Sequence, residues 1–294
     1  MSETCALCPR KCGVDREKAS GFCRSRKTLR VAKTMLHFWE EPILSDSGGS
    51  GAVFFSGCVL RCPFCQNFPI SHEGKGTDVS PEELERQILS LAEQGAQNID
   101  LITPTQYLDG LIPVLKNIKN KINIPIVYNT GGYELPDQLR RLEGLIDIYL
   151  PDLKYYDRAV SARYGAPSDY FDFALSSLKE MIRQQPINEI ADGIMKRGVL
   201  VRHLVLPGCY KDSMALFRRL ADEFPEKKPL VSVMRQYTPC YRAKEFPELN
   251  RRLTTFEYEK VTELCAELGF EGFTQQKGCE TMDYTPDFQE ERND

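Results

Sequence analysis

Six short apolar runs recur along this 294-residue chain, each followed by a stretch with helical spacing, and this alternation constrains the fold more than any other feature. The runs cover residues 52–55, 99–102, 125–128, 145–150, 199–206 and 230–234. They are continuous and apolar, as strands buried on both faces should be. The clearest helix follows Ser80-Pro81-Glu82-Glu83, with Leu84, Ile88 and Leu91 on one stripe. Ser80 suits the N-cap, Pro81 the first turn, and Glu83 the return arm of a capping box. Helical patterns also cover 108–118, 135–142, 171–182, 213–224 and 255–268. In the last, Phe256, Val261, Leu264 and Leu268 make the inward face, and Cys265 reads as a packing thiol. Six β-α units predict an α/β fold with a parallel sheet and helices outside.

Directly after the first run stands Gly57-Cys58-Val59-Leu60-Arg61-Cys62-Pro63-Phe64-Cys65-Gln66-Asn67. The C-x3-C-x2-C spacing lets Cys58, Cys62 and Cys65 point at one small object from a single loop. Three thiolates suit a cubane iron–sulphur cluster, which normally takes four cysteines. A missing fourth ligand leaves one iron open to a small molecule, whereas a structural site is closed. The alternatives are a zinc loop or three unrelated thiols. Zinc cysteines usually come as two pairs, and no second pair lies nearby.

The C-x3-C-x2-C spacing, with an aromatic before the last cysteine, resembles the signature of the radical S-adenosylmethionine (SAM) enzymes. The wider stretch from Gly57 to Asn67 resembles the branch that contains the glycyl-radical-enzyme activases. The resemblance implies a partial (β/α)6 TIM-type barrel with a small N-terminal Cys-rich extension. It implies a [4Fe-4S] cluster on Cys58, Cys62 and Cys65, with SAM chelating the open iron. One electron, from a reductant such as flavodoxin or ferredoxin, would cleave SAM to a 5′-deoxyadenosyl radical that abstracts hydrogen from the substrate. A glycyl-radical enzyme is the first candidate partner; another peptide or a small molecule is the second. Well-studied activases hold extra clusters in an insert after the main motif, and the stretch between Asn67 and Ser80 is too short for one. A non-catalytic metal-binding scaffold is the reading from a different class.

In barrels, sites lie at the C-terminal ends of strands, so polar residues should collect after each run. After the second come Thr103 and Thr105, where many family members carry a Gly-Gly-Glu stretch for the SAM amino group. After the third comes Asn129-Thr130-Gly131-Gly132, similar to the activases' Asp-Thr-Asn-Gly. After the fourth, Asp152 and Lys154 resemble the activases' Asp-Leu-Lys and alternate by two, so both can face the mouth. Arg202, inside the fifth run, needs a carboxylate or ligand partner, while His203 points the other way and reads as structural. Gln236 and Tyr237, after the sixth, would close over adenine or substrate. Cys209, Cys240 and Cys279 are candidates for proximity to the mouth.

Ahead of the barrel, Cys5, Cys8, Cys12 and Cys23 crowd a polar segment that has no apolar core of its own. A metal would supply the missing folding energy, either structural zinc or a second iron–sulphur cluster. A similar Cys-rich start occurs in a subgroup of activase-like radical SAM proteins. An extended piece follows from Val31 to Trp39, with His37 more readily packed than ligating, and then a flexible connector, 45–51. On this basis the chain divides into an extension over 1–44, a barrel over 45–280 and an acidic tail over 281–294. Net charge of −4 gives no basic field for nucleic acid or an anionic membrane. Eleven cysteines with no leader pattern and no bilayer-length apolar run point to a reducing, cytoplasmic setting.

Overall fold

The computed structural model describes residues 4–279 and 286–288. Its first regular element is strand β1 (Leu29–His37), followed by β2 (Ser50–Phe55), the short helix α1 (Phe68–Ser71), β3 (Thr77–Val79) and α2 (Pro81–Glu93). Then come β4 (Ile99–Ile102), α3 (Leu108–Ile118), β5 (Ile126–Thr130), α4 (Pro136–Arg140) and β6 (Ile148–Pro151). The remainder is α5 (Arg158–Arg163), α6 (Tyr170–Gln184), β7 (Glu189–Ala191), β8 (Ile194–Leu204), α7 (Tyr210–Glu223), β9 (Leu230–Met234), α8 (Thr255–Glu267) and β10 (Gly272–Thr274).

The strands form one sheet in the order β10-β9-β8-β6-β5-β4-β2-β1-β3, with β7 hydrogen-bonded to β8. From β2 through β10 the neighbours are parallel. β1 runs antiparallel to β2, and β3 antiparallel to β1, so the sheet is an unclosed barrel with β10 and β3 at its edges. The six apolar runs became β2, β4, β5, β6, β8 and β9. Every residue of β2, β4, β5 and β6 is buried, which explains why they read as unbroken apolar runs rather than alternating ones. Burying one Val, Leu, Ile or Phe contributes roughly 1.5–3 kcal/mol, so these short strands carry much of the core. Helices α2, α3, α6 and α7 cover them with apolar stripes.

The division expected at residue 44 falls between two strands of this one sheet, β1 and β2. A seventh parallel strand, β10, is only three residues long and holds a single bulky apolar side chain, so no run announces it. The β7–β8 hairpin does carry a signal, Asp192-Gly193, both at positive φ as a two-residue hairpin turn requires. Most of the tail lies outside the described residues, but Phe288 stacks edge-on against Phe54 at 5.4 Å between ring centres. No helix among the described residues is long and apolar enough to cross a membrane.

Two helix details depart from expectation. Ser80 caps α2 by accepting the Glu83 amide, but the Glu83 carboxylate is engaged by Arg86 and Gln87 instead of completing the box. The reciprocal box forms at α8, between Thr254 and Glu257. On α8, Val261 and Leu264 face inward as expected, with Cys265 buried beside them, whereas Phe256 is 57% exposed. Phe256 lies on the outer face of α8 with Glu263 and Glu267, both exposed, and it packs edge-on against Tyr210. We therefore expect Thr254→Ala to cost about 1 kcal/mol through loss of the cap. Val261→Ala should cost about 2 kcal/mol through its cavity. Phe256→Ser should stay within about 0.5 kcal/mol of wild type. Urea unfolding measures all three.

Candidate metal and cofactor site at the strand ends

β2 runs out at Phe55, and the chain turns sharply through Gly57 into the cysteine loop. Gly57 has φ +81°, and a Cβ there would lie 2.4 Å from the Cys23 carbonyl oxygen. Only glycine lets the two backbones come this close. The Cys58 amide then donates to that carbonyl at 3.2 Å. On the other flank the Arg61 amide donates to the Gly165 carbonyl at 2.9 Å. Gly165, at φ +82°, leaves just 2.0 Å between a built Cβ and the Arg61 oxygen. The loop is thus gripped by backbone from the N-terminal segment on one side and from the α5–α6 connection on the other.

Cys58, Cys62 and Cys65 all line one cavity of about 290 Å³ at the C-terminal ends of the parallel strands. Each thiol has a neighbouring donor. The Leu60 amide lies 3.4 Å from Cys58 Sγ, the Ser71 hydroxyl 3.2 Å from Cys65 Sγ, and the Tyr155 hydroxyl 3.9 Å from Cys62 Sγ. Burial pushes the Cys58 thiol up to about 12 and Cys65 to about 11, and raises Cys62 as well. Buried thiols of this kind stay protonated unless a metal offsets the charge of the thiolate. Among the described residues, no three His, Cys, Asp or Glu side chains are gathered at the distances of one bound metal ion.

Across the cavity stands an ionic network. Arg202 Nε donates to Asp152 Oδ1 at 2.9 Å, its Nη2 to Asn129 Oδ1 at 2.6 Å, and its Nη1 reaches Glu40 at 3.4 Å. Lys154 Nζ donates to Asp152 Oδ2 at 2.7 Å. Burial alone would raise Asp152, but Arg202 and Lys154 outweigh it and hold the carboxyl below its usual range. Burial would lower Lys154, but Asp152 and the Cys62 sulphur outweigh it and keep the ammonium charged. Asn129 also donates to Asp100, which lies fully buried under the cavity wall and is pushed well above the usual carboxylate range, first by burial and then by Glu40. Glu41, likewise raised by burial, accepts from the Ser232 hydroxyl at 2.9 Å.

Of the residues singled out from the sequence, Thr103, Asn129, Thr130, Asp152, Lys154 and Arg202 line this cavity together with the three cysteines, and so do Gln236 and Tyr237. Thr103 has φ +59°, which is uncommon for a β-branched residue and marks a strained strand end. Thr105 does not line the cavity. Its hydroxyl donates to Glu134, as does that of Thr130. Cys209, Cys240 and Cys279 lie outside the lining, against the Tyr164 hydroxyl, the Phe64 carbonyl and Gln275 respectively. His203 is buried, with its ring nitrogens 2.6 Å from the Leu153 carbonyl and 2.8 Å from the Ser213 hydroxyl. His37 is a buried residue in the cavity wall.

Sequence reasoning missed Glu40, Glu41, Asp100 and Glu134. Asp100 carried a signal, a lone charge inside an apolar run, the same one that flagged Arg202. Glu40-Glu41 lay in what read as the end of an extended piece, and nothing local tied them to the barrel. Glu134 follows Gly-Gly-Tyr with no pattern at all.

Glu134 is fully buried, and its Oε2 has no hydrogen-bond partner. Burial raises its carboxyl from 4.5 to about 7, partly offset by the Thr105 and Thr130 hydroxyls. A raised folded-state value means that the stabilisation is fully present below pH 4.5 and is lost as pH climbs through about 7. We expect Glu134→Gln to abolish a loss of roughly 3 kcal/mol between those limits, read as denaturation midpoints across pH. Arg202→Met should cost about 3–5 kcal/mol, because Glu40 would lose its cation and Asp152 one of its two.

Comparison with known proteins assigns the family. The model of the radical SAM superfamily matches residues 52–221. An uncharacterized protein of Methanocaldococcus jannaschii, MJ0674, is 30% identical over 275 residues, which cover 89% of this chain and 74% of that one. Among solved structures, Streptococcus suis SuiB bound to S-adenosylmethionine superposes with a TM-score of 0.51 at 15% identity, over 76% of this chain and 49% of SuiB. A second SuiB structure gives 0.50 at 13% identity, over 78% and 48%. This chain thus matches about half the length of SuiB, and that likeness concerns the fold alone. With more than half of its length matched by the family model and its cysteine loop set at the end of the first parallel strand, this chain belongs to the radical SAM superfamily.

Proposed function

We propose that Cys58, Cys62 and Cys65 hold a [4Fe-4S] cluster, that Thr103, Asn129, Thr130, Asp152, Lys154 and Arg202 hold SAM beside it, and that the enzyme takes a hydrogen atom from its substrate as glycyl-radical-enzyme activases do. The observation that carries this reading is the shared cavity: three thiols and a paired ammonium, guanidinium and carboxylate open on one space at the strand ends. About 290 Å³ is close to the lower bound, roughly 300 Å³, of ordinary small-molecule sites. The residues fit the group chemically, with three sulphur donors on one wall and charges that can meet a zwitterion on the other.

When bound, the cluster and SAM supply one-electron cleavage of a sulphonium and a carbon radical able to take hydrogen. The chain's own part is placement. Lys154 is locked to Asp152 and presents a fixed positive charge that suits the SAM carboxylate. Asp152, with both oxygens engaged, gives a fixed negative charge for the ribose or sulphonium side. Arg202 keeps Asn129 and Asp152 in register, so neither side chain is free to turn away. Tyr237 and Gln236 close the wall and exclude water and stray hydrogen donors. Trp39 lines the same cavity while remaining 59% exposed, which gives the mouth an aromatic rim. Such a rim favours a peptide or protein substrate, which is where the activase reading and the resemblance of residues 57–67 agree. A small protein reductant, flavodoxin or ferredoxin, completes the scheme.

Anaerobic reconstitution with iron and sulphide tests the reading. The protein should form 5′-deoxyadenosine from SAM and a strong reductant, and Cys62→Ala should drop this to background. Lys154→Ala should raise the KM for SAM about tenfold, the equivalent of roughly 1.4 kcal/mol of lost binding. No 5′-deoxyadenosine from iron-loaded protein would sink the reading and leave a metal-binding scaffold. Electron paramagnetic resonance of an added glycyl-radical enzyme then separates activase from other radical chemistry.

A further inference from the structure

We propose that Cys5, Cys8, Cys12 and Cys23 form a closed four-thiolate zinc site that pins the N-terminal segment onto the cysteine loop of the barrel. The inference is independent of whether the chain cleaves SAM.

Residues 4–28 contain no helix or strand, and their buried apolar side chains are Leu7 and Cys23. The segment nevertheless folds back on itself. The Cys5 amide donates to the Val14 carbonyl at 2.9 Å, the Gly13 amide to the Cys5 carbonyl at 3.1 Å, and the Lys11 amide to the Cys8 carbonyl at 3.0 Å. A stretch with so little core normally needs a cross-link or a metal to hold one shape.

Cys5 pairs through its backbone with Val14 and Gly13, which sets it beside Cys12, close enough for the two thiols to shift one another. A Cβ built on Gly21 would lie 3.3 Å from Cys12 Sγ and 3.5 Å from Cys23 Sγ, so these two sulphurs flank a residue that puts nothing between them. Burial raises the Cys8 thiol, and Glu134, Cys23 and Cys5 lie near enough to raise it further. Tetrahedral zinc with Zn–S near 2.3 Å sets its sulphurs about 3.8 Å apart. Corners of a cubane cluster would hold them further apart. The four sulphurs as a set stand wider than the shell of a single ion, so loading would couple to closure of the segment.

The hydrogen bonds to sulphur form a second, separate pattern. Burial works to raise the Cys5, Cys8 and Cys12 thiols, and at each one the amide two residues on, of Leu7, Arg10 and Val14, works against it. In the cysteine loop the Leu60 amide lies 3.4 Å from Cys58 Sγ. Amides aimed at sulphur stabilise thiolate ligands and fix their direction. Lys11 and Gly13, at φ +40° and +65°, curl the backbone around Cys12. Four thiolates on a divalent ion leave a dianion, and Arg10, Lys11, Arg16 and Arg24 supply the compensating charge.

The segment is also fastened to the loop it would stabilise. The Cys23 carbonyl takes the Cys58 amide, and the Arg61 guanidinium donates to the Phe22 carbonyl. Arg10 and Arg61 both lie over the Phe22 ring, at 3.4 and 4.9 Å from its centre.

The test is metal analysis of full-length protein carrying Cys58→Ala, Cys62→Ala and Cys65→Ala, so that barrel thiols cannot contribute. We expect about one zinc per chain without acid-labile sulphide, and a fall to background when Cys5→Ser and Cys12→Ser are added. Cobalt in place of zinc should give thiolate-to-cobalt charge-transfer absorption, lost in the same variant. If the triple variant does not fold, wild-type protein prepared without iron answers the question: chelation should release zinc and open the segment 4–28 to protease. Iron with sulphide in the triple variant overturns the proposal. So does zinc that persists after Cys5 and Cys12 are replaced, or soluble folded protein that binds no zinc.

Discussion

A guanidinium inside a parallel sheet must be surrounded by acceptors, and Arg202 recruits them from three separate parts of the chain. Asp152 comes from the end of β6, Asn129 from β5, and Glu40 from the segment after β1. Removing any one leaves a buried charge short of a partner, which costs far more than a surface pair would. The network therefore fixes the mutual height of β5, β6 and β8 at their C-terminal ends, where a parallel barrel presents its ligands. Lys154 is held in turn by Asp152, so one strand-interior arginine sets the position of every charge on that wall.

The opposite wall is organised by backbone rather than by charge. Gly57 and Gly165 allow two foreign carbonyls to reach the cysteine loop, where they take the Cys58 and Arg61 amides. Three thiols are thereby presented by a loop whose own backbone has little freedom to move. A rigid charged wall facing a rigid sulphur wall is a preorganised cleft, and preorganisation is what radical chemistry asks of a protein scaffold.

Much of this was legible beforehand. Strands β2, β4, β5 and β6 were visible because each is buried on both faces, which leaves largely apolar runs. Cys58, Cys62 and Cys65 stood out by their tight spacing, and Asp152, Lys154 and Arg202 because charges interrupt apolar surroundings; all six line the one cavity. What escaped was long-range. Glu40 meets Arg202 across 162 residues of sequence, and Glu41 meets Ser232 across 191. Thr105 was placed correctly after its strand but turned toward Glu134, a partner with no local signature. β10 escaped because three residues cannot display a period.

The family's matched region opens at Ala52, inside β2, yet the antiparallel partner of β2, one of the two carboxylates on Arg202 and the carbonyl under Cys58 all come earlier. The evolutionary module and the cooperative unit are consequently different objects. Grafting residues 52–221 onto another host would transplant the signature while leaving behind Glu40 on Arg202 and the Cys23 carbonyl beneath Cys58.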